Sequence, residues 1–368
     1  MLKHTNTSTS DVNSDATFLG WQKKNDEDIF PLFNIILESH PLYQSTVSEA
    51  TLRRLHLRVP RIPSPYTGHA EAPWHQAGCE LNHPKTARQA LQMAGFDYTV
   101  VTKPLDVNPG LKHHAYAATV RTDTGEILGI VDESYEPVQN IDAFEFFDTL
   151  VAEDEATYET AGILGNGQCV WVLAKLPGFM KIRGNDIVNK YLLLTNSHDG
   201  RAQVRARVTP IRVVCNNTLT AALQGAGDIA IQHIPNTVRY HDLGFTILGM
   251  SNVLNDQLEI TFNRMAKQKI TKDELEAYVE TLVPDHEEDP NTARAEKMRL
   301  SVLDLHETGR GADLARGTVW GAFNSVAEYT DHMMADKDAT ARLNAIWFGR
   351  GEHLKSRAFS LACRLLKN

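Results

Sequence analysis

Three short glycine turns constrain the fold of this chain more than any other feature. Asp123-Thr124-Gly125 joins the strand-like run Ala115–Arg121 to Ile127–Val131. Gly165-Asn166-Gly167 joins Thr160–Leu164 to Cys169–Leu176, and Asp199-Gly200 joins Tyr191–Asn196 to Arg201–Val208. Glycine and Asx residues enter the positive-φ conformations of tight hairpin loops at little cost, and the apolar runs on either side supply the strands. The middle of the chain therefore reads as a set of antiparallel hairpins.

Helical signals surround them. Thr86–Ala94 reads as a short helix stopped at Gly95, and Tyr98–Thr102 as a further strand. Ile141, Phe144, Phe147, Leu150 and Val151 recur at helical spacing, which predicts a helix over Ile141–Ala152. Ile211–Cys215 is a short apolar run, and the asparagines after it predict a helix from Asn216 or Asn217 to Gln224. Beyond Leu243 the strand signals vanish, and long helical patterns break at Pro284–Pro290, Thr308–Gly317 and Gly349–Gly351. The expected class is α+β: an antiparallel, hairpin-rich sheet with one or two packed helices, followed by a mainly helical C-terminal portion. Residues 1–70 read as a leader and extension, partly disordered, with a helix at Ile29–Glu38 and a Pro60–Pro65 connector. Residues 71–242 read as the α+β core and 243–368 as a helical domain.

Composition narrows the setting. With 368 residues, 42 % hydrophobic, the chain can bury a large core without staples. Its four cysteines lie 90, 46 and 148 residues apart, too few for a disulfide scaffold and without metal-knuckle spacing. No apolar run approaches the ~20 residues needed to span a bilayer. The Ser/Thr/Asn-rich start lacks the apolar core of a signal peptide. These features point to a reducing, cytoplasmic location, no membrane, no metal and no cofactor. A net charge of −9 excludes a uniformly basic DNA coater but not a local basic groove. Charge is uneven: residues 131–160 hold ten Asp/Glu and no Lys/Arg, whereas residues 181–240 hold eight Lys/Arg against three Asp.

The basic half contains the main candidate site. In a strand, Gln203, Arg205, Arg207 and Thr209 share one face. Alternate arginines stand roughly 7 Å apart, close to the phosphate repeat of an extended nucleic acid. Arg201, Arg205, Arg207 and Arg212 would form a phosphate track, with Lys190 adding a cation. A helix beginning at Asn216 and Asn217 would add anion-friendly N–H groups. Trp74 and His75, in a loop bounded by Pro73 and Gly78, would stack a base, a role open to Tyr191 too. The alternative is a solvated strand face whose arginines pair the acidic segment. His198 and Asp199 sit in a polar cluster that a hairpin turn explains. Cys215 invites a dyad with His198 or His75, although a cysteine after Val213 and Val214 is ordinarily core. Gly162, Gly165 and Gly167 have the wrong order for a dinucleotide fingerprint. The stripe Val319, Phe323, Val326 reads as core, or else as a contact between subunits.

Five separated blocks carry a resemblance: PWHQAG, DTGEILGIVDESYEPVQNIDAFEFFDTLV, YLLLTNSHDG, VTPIRVVCNNTLTAAL and GTVWGAFNSVAEYTDH. Together they resemble the phage/plasmid-like proteins grouped as domain of unknown function 932, over residues 70 to 368. Gln76-Ala77 departs from the family's usual Gly-Leu after Trp-His. The resemblance implies a mobile-element gene and brings no established activity. More loosely, the element order is similar to that of single-strand annealing proteins of the Rad52/Redβ type, which implies single-stranded DNA as ligand and assembly into homo-oligomers. The first expectation is thus a DNA-binding and annealing protein without a catalytic nucleophile. The alternatives are a hydrolase or transferase using His198 or His75 with Cys215 or Asp199, and a mobile-element protein that engages a host factor through its acidic segment.

Overall fold

Each glycine turn separates two antiparallel strands, as its chemistry requires. Strand β1 (Cys79–Glu80) precedes helix α1 (Ala87–Ala94) and strand β2 (Val100–Pro104). Thr86 caps α1 through Gln89 N, and Gly95 ends it at φ 72°. Strands β3 (Tyr116–Arg121) and β4 (Ile127–Asp132) flank Gly125, and β2-β3-β4 form a small sheet. Strands β5 (Thr157–Leu164), β6 (Cys169–Ile182), β7 (Asp186–Ser197) and β8 (Val204–Val208) form the large sheet. The short β9 (Ile211–Arg212), β10 (Asn217–Thr218) and β11 (Asp228–Ile231) extend it. Its order is β1-β5-β6-β7-β8-β11, with β9 pairing both β7 and β10.

Helices follow: α4 (Tyr240–Lys267), α5 (Lys272–Leu282), α6 (Thr292–Thr308), α7 (Ala312–Ala315) and α8 (Val319–Glu328). After a π-helical turn at Tyr329–Met333 come α9 (Ala339–Phe348) and α10 (Arg350–Arg364). An antiparallel hairpin sheet followed by helices is the α+β arrangement expected. The computed structural model describes residues 78–105, 116–200, 204–219, 228–231, 240–284, 292–334 and 338–367. These all belong to one compact unit, Glu49–Asn368. The expected helix at Ile29–Glu38 and the Pro60–Pro65 connector lie outside the described residues. Among the described residues no helix is long and apolar enough to cross a membrane.

The large sheet is covered on both faces. One face carries Leu164, Trp171, Leu173, Tyr191 and Leu193, which meet Leu343, Ile346 and Trp347 of α9. Trp171 and Trp347 cross edge to face at 5.0 Å between centroids. Trp171 needs Gly162 beside it, since a Cβ there would lie 2.8 Å from its ring. The opposite face carries Tyr158, which donates to Asp148 Oδ1 (2.9 Å) and lies tilted against Phe147 with ring centroids 5.7 Å apart. The helices have their own apolar centre at Phe262, Trp320, Phe323 and Phe359. Every residue of α8 is buried, so its apolar stripe is core.

Two expectations are corrected. The segment Ile141–Ala152 is not one helix but α2 (Asn140–Phe144), a 3₁₀ turn at Glu145–Phe147, and α3 (Asp148–Ala152). The break lets Asp148 accept from both Ala87 N (2.6 Å) and Tyr158. No helix starts at Asn216 or Asn217. Asn216 is left-handed (φ 53°), and Asn217 and Thr218 pair with β9 as strand β10. Buried Asp331 takes the backbone N–H and the hydroxyl of Thr218 (2.6 and 2.7 Å) and pairs with Lys355 at 2.7 Å, which holds the segment extended.

Candidate nucleic-acid interface

The residues expected to hold phosphate are distributed inward. Arg205 and Arg207 share a half-buried face of β8, as alternation requires, while Val204, Ala206 and Val208 are buried. Arg207 donates to Trp347 O at the C-terminus of α9 and lies over the Phe348 ring at 5.3 Å. Arg205 lines a cleft beside Phe348. Arg212 is enclosed, 1 % exposed. It chelates Asp186 (Nε–Oδ1 2.9 Å, Nη2–Oδ2 2.7 Å) and donates to Gly311 O (2.9 Å). Trp320 Nε1 completes the Asp186 carboxylate at 2.8 Å. Asn217 is buried and donates to Asn324 O, and Asn216 is half-buried. Lys190 pairs with Asp256 at 3.8 Å and is 11 % exposed. Tyr191 is buried in the sheet core. Trp74, His75 and Arg201 lie outside the described residues. The strand arginines thus organise the interior as much as any surface, and Arg212 leaves the list of phosphate contacts because Asp186 already neutralises it.

The candidate nucleophile and base do not meet. His198 follows the last residue of β7, whereas Cys215 follows β9, which pairs with Val188 and Asn189 near the other end of that strand. Ten residues of strand separate the two levels, roughly 33 Å. Burial drives the Cys215 thiol up to about 12, with Arg212 pulling the other way, so it stays protonated. Burial likewise drives His198 down to about 4. Its Nε2–H donates to Asn140 Oδ1 (2.8 Å), and Asn140 in turn donates to Phe96 O (3.0 Å). Asn196 Nδ2 also reaches Asn140 Oδ1 at 3.1 Å. His198 is a neutral bracket between β7 and α2, and a Cys215–His198 dyad is ruled out. Among the described residues no group of three or more His, Cys, Asp or Glu is placed to hold a metal ion.

One group of exposed cations lies elsewhere, at the tip of the β6–β7 hairpin. The sequence reading stopped β6 at Leu176, but the strand passes through an irregularity between Lys175 and Phe179 and continues to Ile182. Pro177 and Gly178 (φ 76°) supply that irregularity. The turn Arg183-Gly184-Asn185 follows. There Lys181 and Arg183 are exposed, with Phe179 half-buried on the Lys181 face. Beyond the reach of β5, the outer edge of β6 is closed by side chains of α4. Lys181 N donates to Glu259 Oε1, Asn263 Nδ2 donates to Lys181 O, and Arg183 N donates to Asn263 Oδ1, each at 3.0 Å. Arg183 Nη1 reaches Ala266 O (3.3 Å) in the last turn of α4. Lys267 ends that helix and Lys269 follows it, both exposed. Lys269 is pinned by a β-bridge to Thr318. The signal available in the sequence was the Gly184-Asn185 turn between Met180/Ile182 and Ile187/Val188.

A two-sided hairpin sheet wrapped by helices, with paired charges inside and a cationic hairpin tip outside, defines an α+β protein. Residues 127–347 match the family model described as Domain of unknown function (DUF932), and the chain belongs to that family. The match begins inside the β3–β4 hairpin, so the PWHQAG block lies outside it. No curated protein and no solved structure matches the chain, and the looser similarity to Rad52/Redβ annealing proteins gains no support.

Proposed function

We propose that the protein binds single-stranded DNA through the tip of the β6–β7 hairpin and serves in strand annealing during recombination or replication of a mobile element. The observation that carries this reading is the cationic rim of Lys181, Arg183, Lys267 and Lys269, in which Glu259 and Asn263 hold the backbone of the first two. Flexible surface lysines lose entropy when they order on a ligand, and a rim whose backbone is already held loses less. Phe179 offers a ring two strand positions from Lys181, the alternation of charge and aromatic surface that single strands favour. Annealing requires a held backbone with base edges left outward; it requires no nucleophile.

The test is fluorescence anisotropy of labelled oligothymidylate across a salt series. Four phosphate contacts give a slope of log K against log salt of about −3. The double change Lys181→Glu/Arg183→Glu reduces that slope by about half and weakens binding more than tenfold at low salt. Binding that is absent, or indifferent to this change in a folded variant, overturns the reading.

A further inference from the structure

At the other end of the β6–β7 hairpin the molecule opens a cleft of about 1540 Å³. One wall is β4, from Leu128 through Asp132 without a gap. Consecutive residues of a strand face opposite ways, so a cleft touching all of them runs along the strand's edge, not over one face. The other wall is a single stripe of α9, Thr340, Asn344 and Phe348, spaced by four. The floor includes Ser197 and Arg205 of the large sheet.

Among the described residues the edge of β4 facing this cleft is unpaired. β4 pairs only with β3 among the described strands. Leu105 N donates to Tyr116 O (3.2 Å), which turns the Tyr116 backbone groups toward β2. In an antiparallel ladder its β4 partner, Asp132, then turns its own groups away from β3, and so does Ile130 two residues earlier. Tyr135 N takes the Asp132 carbonyl at 3.0 Å. The Ile130 N–H, the Ile130 C=O and the Asp132 N–H have no hydrogen-bond partner among the described residues. The Ile130 side chain is 66 % exposed beside them. Among the described lining residues the cleft also carries three carboxylates, Asp132, Asp199 and Asp338, and one guanidinium, Arg205.

From this geometry we infer that the cleft is a docking groove for an extended segment of a partner protein, added as a strand to the edge of β4. Its apolar side chains would alternate with basic ones. Main-chain pairing at Ile130 and Asp132 supplies register, Phe348 and Ile130 receive the apolar side chains, and the excess of carboxylate selects lysine or arginine between them. A nucleic-acid strand is disfavoured here, since its phosphates would meet three carboxylates. The inference is independent of DNA binding at the hairpin tip.

The test is anisotropy of a short labelled peptide alternating isoleucine and lysine, titrated with the full chain, against a matched peptide alternating isoleucine and glutamate. The expected result is saturable binding of the basic peptide only, weakened about tenfold by Ile130→Pro, which removes an edge N–H, and similarly by Asp132→Lys/Asp338→Lys. N-methylation of alternate peptide amides removes the same hydrogen bonds without altering the protein, so it decides the matter if Ile130→Pro fails to fold. Binding of both peptides alike, insensitivity to N-methylation, no binding at all, displacement of the peptide by oligothymidylate, or self-association through this edge would each overturn the inference.

Discussion

Two stretches of strand edge in this molecule, on β6 and on β4, are treated in opposite ways. Beyond the end of β5, the edge of β6 is closed by Glu259 and Asn263, whose side chains stand in for a neighbouring strand. Among the described residues the edge of β4 has no such cover at Ile130. An unsatisfied strand edge is a template for pairing, and proteins that do not use one generally block it. Closure at β6 fixes a cationic tip and keeps it from pairing with another chain, whereas exposure at β4 leaves main-chain groups beside an acidic cleft. One end is built to present side chains and the other to present backbone. The two ends stand roughly 35 Å apart along β7.

That contrast can be broken first from beneath the tip. Asp186→Asn leaves Arg212 buried without its countercharge and costs about 3–5 kcal/mol, read as a lowered denaturant midpoint with unchanged slope. At the cleft end, His198 gives a pH signature. Its folded value near 4 lies below the unfolded 6.5, so the unfolded chain takes up the proton first. The stabilisation is complete above pH 6.5 and is lost as pH falls toward 4, a total of about 3 kcal/mol. His198→Gln removes this component of the pH profile; an unchanged profile would contradict the buried neutral assignment.

A smaller change separates the ends. A Cβ at Gly129 would lie 2.6 Å from the Asp199 Cα, where the small sheet meets the β7–β8 turn. Gly129→Ala therefore costs about 1–3 kcal/mol and disturbs the cleft while leaving the proposed DNA binding at the tip unchanged. Smallest in stability, within about 0.5 kcal/mol, is Lys181→Glu, because that side chain is exposed and its structural bonds are made by its backbone. Its effect belongs in the salt dependence of the proposed DNA binding, and a large loss of stability would show that Lys181 holds the fold.

The hairpins were legible because their turns are local chemistry: Gly125, Gly165, Gly167 and Gly200 all adopt positive φ. So were α1, with its Thr86 and Gly95 signals, and the break at Gly349. What the sequence concealed was long-range. Arg205, Arg207 and Arg212 alternate with apolar residues as an exposed track would, yet Asp186 and Trp347 O claim two of them from distant positions. Asn217 and Thr218 look like a helix start until Asp331 captures the Thr218 N–H from far along the chain. The tip was missed because Pro177-Gly178 reads as a strand end, although the strand absorbs both and continues. Local signals located the turns, and only tertiary pairing decided which arginines stayed on the surface.

The most direct test of the account is photo-crosslinking of oligothymidylate carrying 5-iodouracil, with the crosslinked peptides identified by mass spectrometry. The account predicts adducts at Phe179 and in the segment from Lys181 to Gly184, with a second set around Lys267. Adducts concentrated on Arg205 and Phe348 in the cleft, with none at the hairpin tip, would contradict it.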